Sequence, residues 1–233
     1  MKLNEYFSKI YCINLDSRPD RYKECSIEFE KLGIVVERIS GIDCKSTFNV
    51  RLNITAGAYG LLSTNIKIIE EAIRNKYKSV LIFEDDVIFN ANFQNIFTEK
   101  IPYLPDDWDM LYFGGSHGFN KGKFNLITGN KDFVVTEKNY KTIKNELCKT
   151  TWTQTTHAVA VSAKFLPVLI NSINENLTQP IGNVIYPIDR QYCILQQMGY
   201  NAYTFLPSIA LQRPSYSDIE NVFIDYNKTS HLF

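Results

Sequence analysis

The first 86 residues alternate between short apolar runs and longer segments with helical spacing, and this alternation limits the folds open to the chain. The apolar runs lie at residues 10–15, 34–38 and 79–83, and each is predicted to form a strand. The segments between them carry apolar residues three and four positions apart, which predicts two helices. A strand–helix–strand–helix–strand order is typical of an α/β fold with a mostly parallel central sheet flanked by helices.

The predicted helix boundaries come from local signals. Ser17 is the expected cap of the first helix, Pro19 falls in its first turn, and Gly33 is its expected stop. Because ligands collect beyond the carboxyl ends of parallel strands, the residues that follow the first and third strands are the first candidates for a site.

The second half of the chain is less regular. Strands are predicted at residues 109–113, 158–161 and 200–206. Helices are predicted after Ser162, with a restart at Pro167, and at residues 188–198. Residues 116–149 are polar and rich in Lys and Asn, and only 133–135 resemble a strand. An insert of this kind is often a loop that covers a substrate.

Length and composition bound the function. A chain of 233 residues fits one domain, predicted here as 1–233 with a first half of about 1–113 and a second half of about 114–233. Lys and Arg total 25 and so do Asp and Glu, so the chain lacks the basic excess of a nucleic-acid-binding protein. The 13% aromatic content is expected to fill the core.

The cysteines and the chain's hydropathy bear on its environment. The five cysteines are widely spaced and lack a C-x-x-C pair, which argues against structural zinc and a disulfide framework and favours buried thiols. No apolar run approaches the length of a membrane span, and the N-terminus lacks the apolar stretch of a signal peptide. We therefore expect a cytoplasmic protein, with peripheral membrane association left open.

Three consecutive carboxylates, Glu84, Asp85 and Asp86, end the predicted strand at residues 79–83. Side chains alternate along a strand, so Glu84 and Asp86 are expected to face one way and Asp85 the other, unless the strand has already turned. Clustered carboxylates repel one another unless a cation lies among them, and Mg²⁺ or Mn²⁺ prefers such oxygen ligands. We therefore predict a metal site at Glu84 and Asp86, with a solvated acidic turn as the alternative.

Asn14, Arg18 and Arg21 lie at the end of the first strand and the start of its helix. Guanidinium groups and a helix N-terminus at such a place can bind a diphosphate. The alternative is that both arginines are surface charges paired with Asp16 and Asp20.

Seven short segments stand out in order along the chain. They are INLDSRPDR at residues 13–21, GID at 41–43, GLLS at 60–63 as a helix start, VLIFEDD at 80–86, WDMLYFG at 108–114, THAVAVS at 156–162 and PID at 187–189. In these segments and in their order the sequence resembles glycosyltransferase family 25, which includes lipooligosaccharide glycosyltransferases and procollagen galactosyltransferases. The resemblance extends over about residues 10–212.

This resemblance implies a GT-A type fold and transfer of a hexose, with galactose favoured, from a nucleotide diphosphate sugar. UDP-galactose or UDP-glucose is the expected donor, and a glycan, a lipooligosaccharide or a hydroxylysine-bearing peptide is the expected acceptor. The resemblance places Mn²⁺ or Mg²⁺ at the acidic triplet, with Asp86 counted among the catalytic residues and Asp85 beside it in the donor site. Ser63 is a candidate donor contact, and Asp189 a candidate catalytic base, with a helix cap as its alternative.

The sequence departs from the family's pattern at two places, and two alternative functions stay open. The family usually has His after the Ser of its helix motif, whereas this chain has Thr64. The insert at 116–149 matches the family poorly.

The first alternative function is a metal-dependent phosphoester hydrolase, for which only Asp109, His157 and Asp189 offer further ligands. The second is a non-catalytic carbohydrate-binding protein of the same fold.

Overall fold

The computed structural model describes residues 1–45, 53–128, 133–180, 182, 184–219 and 222–225. Residues 129–132 of the predicted insert therefore lie outside the described residues. The α-helices are α1 (Leu3–Tyr6), α2 (Pro19–Leu32), α3 (Ala56–Arg74), α4 (Phe93–Lys100), α5 (Leu166–Thr178) and α6 (Ile188–Gln197). Short 3-10 helices occupy Ile101–Tyr103 and Tyr140–Thr142.

The strands form one large sheet and three small ones. In chain order they are β1 (Lys9–Asn14), β2 (Glu37–Ser40), β3 (Ser79–Glu84), β4 (Val87–Phe89), β5 (Met110–Tyr112), β6 (Ser116–His117), β7 (Phe124–Leu126), β8 (Val134–Val135), β9 (Glu146–Thr150), β10 (Thr153–Gln154), β11 (Ala158–Ser162), β12 (Ala202–Leu206), β13 (Ala210–Gln212), β14 (Ser215–Ser217) and β15 (Val222–Ile224). Nine of them form a sheet in the order β2-β1-β3-β11-β5-β12-β9-β7-β8. The two-stranded sheets pair β10 with β6, β13 with β4, and β14 with β15.

The α/β class is confirmed, but the expectation of a mostly parallel sheet is wrong because the large sheet is mixed. Strand β1 pairs in parallel with β2 and β3, and β12 with β5. Strand β11 runs antiparallel to both β3 and β5, and the β12, β9, β7 and β8 pairings are also antiparallel. The residues of β11 are all buried, so its apolar pattern is the same whichever way the strand runs.

Two helix starts and one strand differ from prediction. Helix α2 begins at Pro19 with Arg18 as its N-cap and no side-chain cap, so the expected Ser17 cap is wrong. Helix α5 begins at Leu166, and Ser162 instead ends β11. Strand β2 covers Glu37–Ser40, because its register against β1 pairs Tyr11 with Glu37 and leaves residues 34–36 outside the ladder. Gly33 ends α2 in the left-handed conformation, as predicted.

The insert contains more regular structure than its polar sequence predicts. Strands β7 and β9 extend the large sheet, and β6 pairs with β10. Only β8 falls in the residues predicted to be strand-like. The burial pattern of β9 shows no clean alternation, so the period-2 signal of a strand is lost there.

Hydrophobic clusters cover both faces of the large sheet, as predicted for flanking helices. One face packs residues of α2 and α4 against aromatic side chains that include Phe83, Phe113 and Phe205. The other packs residues of α3, α5 and α6 against residues such as Ile82 and Val159. The five cysteines are buried and free. Across the described residues, none of the helices combines the length and apolar character needed to cross a bilayer.

Candidate active site

A cavity of about 550 Å³ lies where the carboxyl ends of β1 and β3 meet the N-terminal ends of α2, α3 and α6. Its wall also includes residues 217–219 from the far end of the chain. This segment packs against α3, since a Cβ on Gly57 would lie 2.9 Å from the carbonyl oxygen of Asp218. The predicted position of the site, beyond the ends of the parallel strands, agrees with this cavity.

The acidic triplet lies at the cavity, but its geometry differs from simple alternation. Glu84 is the last residue of β3, while Asp85 and Asp86 form a turn. The alternation of Glu84 and Asp86 against Asp85 therefore does not apply here, because the chain has already turned, which is the exception that the prediction allowed. All three residues line the cavity.

Arg21 lies between the two aspartates. Its Nη2 atom is 2.6 Å from Asp85 Oδ1 and 2.9 Å from Asp86 Oδ2. The three side chains are at most 10% exposed. A guanidinium shared by two buried carboxylates offsets part of their mutual repulsion, and Arg21 is therefore not a surface charge.

Burial and neighbouring charges shift the pKa values of Glu84 and Asp85. Burial, and then the charge of Asp86, raise the pKa of Glu84 to about 8. Burial also raises the pKa of Asp85, although Arg21 and a hydrogen bond from Asn14 lower it in part. Thr156 Oγ1 donates to Glu84 Oε1 at 2.8 Å. At neutral pH, and with no further cation, Glu84 is held largely protonated.

Both the nitrogen and the oxygen of the Asn14 side-chain amide form hydrogen bonds within the site. Its Nδ2 donates to Asp85 Oδ2 at 2.6 Å and to the Arg18 carbonyl at 2.8 Å. Its Oδ1 accepts from Arg38 Nε at 2.9 Å. Asn14 thus joins the end of β1, the start of α2 and the acidic turn, which makes it a positioning group for Asp85.

Arg18 is ion-paired beside the cavity, whose wall includes its partner Asp218 but, among the described residues, not Arg18 itself. Its Nη1 donates to Asp218 Oδ2 at 2.5 Å, and its Nε and Nη2 donate to Asp20 at 3.2 and 3.1 Å. Lys45 Nζ also contacts Asp218, at 3.3 Å. The predicted pair with Asp20 is therefore present, whereas Asp16 binds Arg38 instead. Asp218 therefore pairs with two cationic side chains, those of Arg18 and Lys45, at one edge of the cavity.

Ser63 lies away from the described cavity wall, which includes Thr64 instead. Its Oγ donates to the Tyr59 carbonyl within α3 at 2.8 Å. The GLLS segment is not a helix start, as the helix begins at Ala56 and is capped by Thr55. The donor-contact role of Ser63 stays a prediction with no geometric support.

Asp189 lines the cavity from the first turn of α6. Its Oδ2 accepts from Gln154 Nε2 at 2.7 Å, and its Oδ1 accepts from the backbone N–H of Arg190 at 2.9 Å. The helix-cap alternative is wrong, because Pro187 is the N-cap of α6 and no side chain caps this helix. The carboxylate is oriented by one bond from β10 and one from the first turn of its own helix, and its role as a base stays a prediction.

His157 and Asp109 are used elsewhere. His157 Nε2 lies 3.1 Å from the Ala210 carbonyl and its Nδ1 lies 3.1 Å from Thr155 Oγ1. Asp109 accepts from the backbone N–H of Asn201 at 2.7 Å and pairs with Lys164. Both are buried structural groups.

The acidic turn offers a divalent cation a partial set of ligands. Within the described residues, no three His, Cys, Asp or Glu side chains gather as a complete metal site. Asp86 Oδ1 is nevertheless buried and has no hydrogen-bond partner among those residues, and the same is true of Arg21 Nε. Mg²⁺ and Mn²⁺ in nucleotide sites are held by one or two carboxylates together with substrate phosphates. Glu84 and Asp86 fit that arrangement.

Residues 7–166 match the sequence profile of the family described as "Glycosyltransferase family 25 (LPS biosynthesis protein)". The match covers more than half of the chain. The chain belongs to glycosyltransferase family 25. The predicted family is therefore confirmed, and the matched residues include Asn14, Arg21 and the acidic triplet.

Curated members of family 25 are distant relatives of this chain. It is 25% identical over 160 residues to a "Glycosyltransferase 25 family member" of Aedes aegypti, covering 58% of this chain and 26% of that protein. It is 26% identical over 162 residues to the human "Inactive glycosyltransferase 25 family member 3", covering 59% of this chain and 26% of that protein. The alignments thus span about a quarter of each relative's length.

Solved glycosyltransferases resemble this family 25 chain only weakly. A galactosyltransferase, LgtC, crystallised with donor and acceptor sugar analogues, has a TM-score of 0.43 and 10% identity, covering 91% of each chain. A glycosyltransferase involved in glycosylating the major capsid of PBCV-1 has a TM-score of 0.37 and 10% identity, covering 85% of this chain and 92% of the other. The family assignment rests on sequence alone.

Several site residues escaped the sequence analysis. Thr156 donates a hydrogen bond to Glu84. It could have been predicted as a site residue, because it is the first residue of the THAVAVS segment of the family resemblance. Gln154, Lys45 and Asp218 carried no local signal. Asp218 lies 200 residues from its partner Arg18, beyond the segment that resembles the family.

Proposed function

We propose that this chain transfers a hexose, with galactose favoured, from a nucleotide diphosphate sugar to a glycan, lipooligosaccharide or hydroxylysine-type acceptor. The observation that carries the proposal is the single cavity shared by the acidic turn, Arg21 and Asp189. Membership of family 25 supports the same class of activity. The proposal includes a GT-A type fold, with a first half that binds the donor and a second half that binds the acceptor. It also includes a cytoplasmic location.

The donor's diphosphate is expected at the acidic turn. Mn²⁺ or Mg²⁺ bound by Glu84 and Asp86 would offset the charge that develops on the leaving diphosphate. Arg21 holds Asp85 and Asp86 in place, and its Nε–H has no partner among the described residues. Asn14 orients Asp85. These contacts support a preorganised binding site whose residues need little rearrangement.

The acceptor hydroxyl is expected near Asp189. Its carboxylate is oriented by Gln154 and by the α6 backbone, so it can accept the proton of a hydroxyl that attacks the donor. A phosphoester hydrolase would need further ligands at the acidic turn. Asp109 and His157, the other candidates, are bonded within the core, so sugar transfer is the better-supported function.

A panel of nucleotide sugars tests the proposal. The chain is incubated with UDP-galactose, UDP-glucose and other nucleotide sugars, with Mn²⁺, Mg²⁺ or EDTA. We expect slow metal-dependent release of UDP from one donor, together with thermal stabilisation of the protein by that donor. Release of phosphate from simple esters, with no turnover or binding of any nucleotide sugar, would instead identify a hydrolase.

A further inference from the structure

Two cationic side chains contact the indole ring of Trp152. Arg190 Cζ lies 5.0 Å from the ring centroid, and Lys121 Nζ lies 5.3 Å from it. Trp152 as a whole residue is 7% exposed. A cation over an aromatic face is attracted by the ring's quadrupole, so the indole of Trp152 stabilises both positive charges.

Neither cation is neutralised within the described part of the chain. No carboxylate there lies within ion-pair distance of Arg190 or Lys121, in contrast to the arginines on the donor side. Arg18 and Arg21 each contact two carboxylates. Two neighbouring cations without counter-charges form a place where an anion is stabilised.

The turn that carries Lys121 is shaped around the ring. A Cβ on Gly118 would lie 2.5 Å from Trp152 Cδ1, and a Cβ on Gly122 would lie 2.5 Å from Trp152 Cβ. The turn is closed by a bond from the Gly122 N–H to the Gly118 carbonyl at 2.9 Å. Lys121 is therefore placed by close packing of its turn, in addition to its charge.

Arg190 connects this cluster to the candidate active site. It lines the cavity and follows Asp189, the candidate base, in the first turn of α6. The surrounding insert is also basic, since residues 116–149 contain seven Lys and three acidic residues in a chain that is balanced overall. Arg190 thus joins the cavity wall to Trp152 and to the basic segment that carries Lys121.

We infer that Arg190 and Lys121, held on Trp152, bind an anionic substituent of the acceptor saccharide, a phosphate or a carboxylate. Arg190 presents a planar donor set that matches either group, and Lys121 adds a point charge. Binding there would orient a neighbouring hydroxyl towards Asp189. This inference rests on the proposed function, because it names the acceptor class of the same site.

The test compares saccharides that differ in one anionic group. Transfer from UDP-galactose is measured to lactose against 3′-sialyllactose, and to glucose against glucose 6-phosphate. The variants are Arg190→Gln and Lys121→Gln, with Lys123→Gln as a matched control on an exposed neighbouring lysine. We expect the parent and the control to prefer a charged acceptor. Each of the two variants is expected to lose about tenfold in kcat/KM for that acceptor relative to its neutral partner.

Calorimetric binding of the same pairs in the presence of UDP separates this inference from the proposed function, since binding needs no turnover. Preferential binding of a charged saccharide, weakened in both variants, supports the inference even if no sugar is transferred. The inference would be overturned if calorimetry showed equal binding of the charged and the neutral saccharide, or binding of neither. It would also be overturned if, in the transfer assay, the variants changed only the KM for UDP-galactose.

Discussion

The carbonyl oxygen of Ile42 lies against Gly60, so closely that a Cβ on residue 60 would be 2.2 Å from it. Gly60 is in the second turn of α3, and Ile42 belongs to the loop after β2. Both line the cavity. The glycine is required by this approach of helix and loop backbones, and its conformational freedom is not needed.

Gly60→Ala should lower the free energy of unfolding by about 1–3 kcal/mol, because the overpacking at Ile42 outweighs the gain in helix propensity. Chemical denaturation measures this change. Lys67→Ala, at an exposed position of the same helix, is the control and should change stability by less than about 0.5 kcal/mol. Equal stability of Gly60→Ala and the parent would show that the loop moves aside freely.

Arg21→Ala should destabilise the fold by about 3–5 kcal/mol, since it leaves two buried carboxylates without their counter-charge. The control is Arg74→Ala at the exposed end of α3, where the effect should stay within about 0.5 kcal/mol. Neutralising the partners as well, in Arg21→Met combined with Asp85→Asn and Asp86→Asn, should recover part of the loss. A triple variant no more stable than Arg21→Ala would contradict the ion-pair account.

Asp86→Asn should lower metal-dependent turnover of the nucleotide sugar by about 100-fold or more, as expected when charge stabilisation of a leaving group is lost. Release of UDP is followed across a range of Mn²⁺ concentrations. Asp106→Asn, at an exposed position, is the control. If Asp86→Asn turned over the donor like the parent, with the same response to Mn²⁺, the carboxylate would not serve the donor site.

Asp189→Asn should reduce transfer to the acceptor by about 100-fold or more, while release of UDP to water falls less, because the lost base acts on the acceptor hydroxyl. The asparagine still offers an oxygen to Gln154. Glu175→Gln, exposed on α5, serves as the control. Equal losses in both reactions would argue for a role in donor binding.

His117 should make the fold less stable in acid. Burial, with a smaller contribution from His157, lowers the pKa of His117 from 6.5 to about 4. Between these values the unfolded chain binds a proton that the folded chain does not, so stability falls as the pH drops from about 6.5 towards 4, by up to about 1.4 kcal/mol per pH unit. Denaturation of His117→Gln across this range should show a shallower slope. Parallel curves for variant and parent would contradict this account.

The long apolar strands could be predicted from the sequence, and their directions could not. Strands β1, β3 and β12 are almost wholly buried, so their residues form continuous apolar runs. Strand β11 shares this pattern, and its antiparallel pairing with β3 is set by tertiary contacts that a single apolar run does not encode. The short strands of the insert escaped prediction because two or three residues give no measurable period.

The candidate site was predictable where charge coincided with the end of a strand. Glu84, Asp85, Asp86 and Arg21 were found in this way, and all four line the cavity. Their mutual geometry was not predictable, because it depends on the turn that the chain makes after Glu84. Partners that are distant in sequence, such as Asp218 with Arg18, depend on the completed fold.

Residues 217–219 form one side of the cavity and pack against Gly57. The carboxylate that pairs with Arg18, that of Asp218, lies 200 positions later in the chain. During synthesis the acidic turn and Arg21 leave the ribosome long before this wall exists. A nascent chain that has folded only as far as residue 166, the end of the family match, would therefore present a half-open trough without Asp189 or Asp218. Binding in this cavity then requires that residues up to 219 have been translated and have packed against the earlier part of the chain.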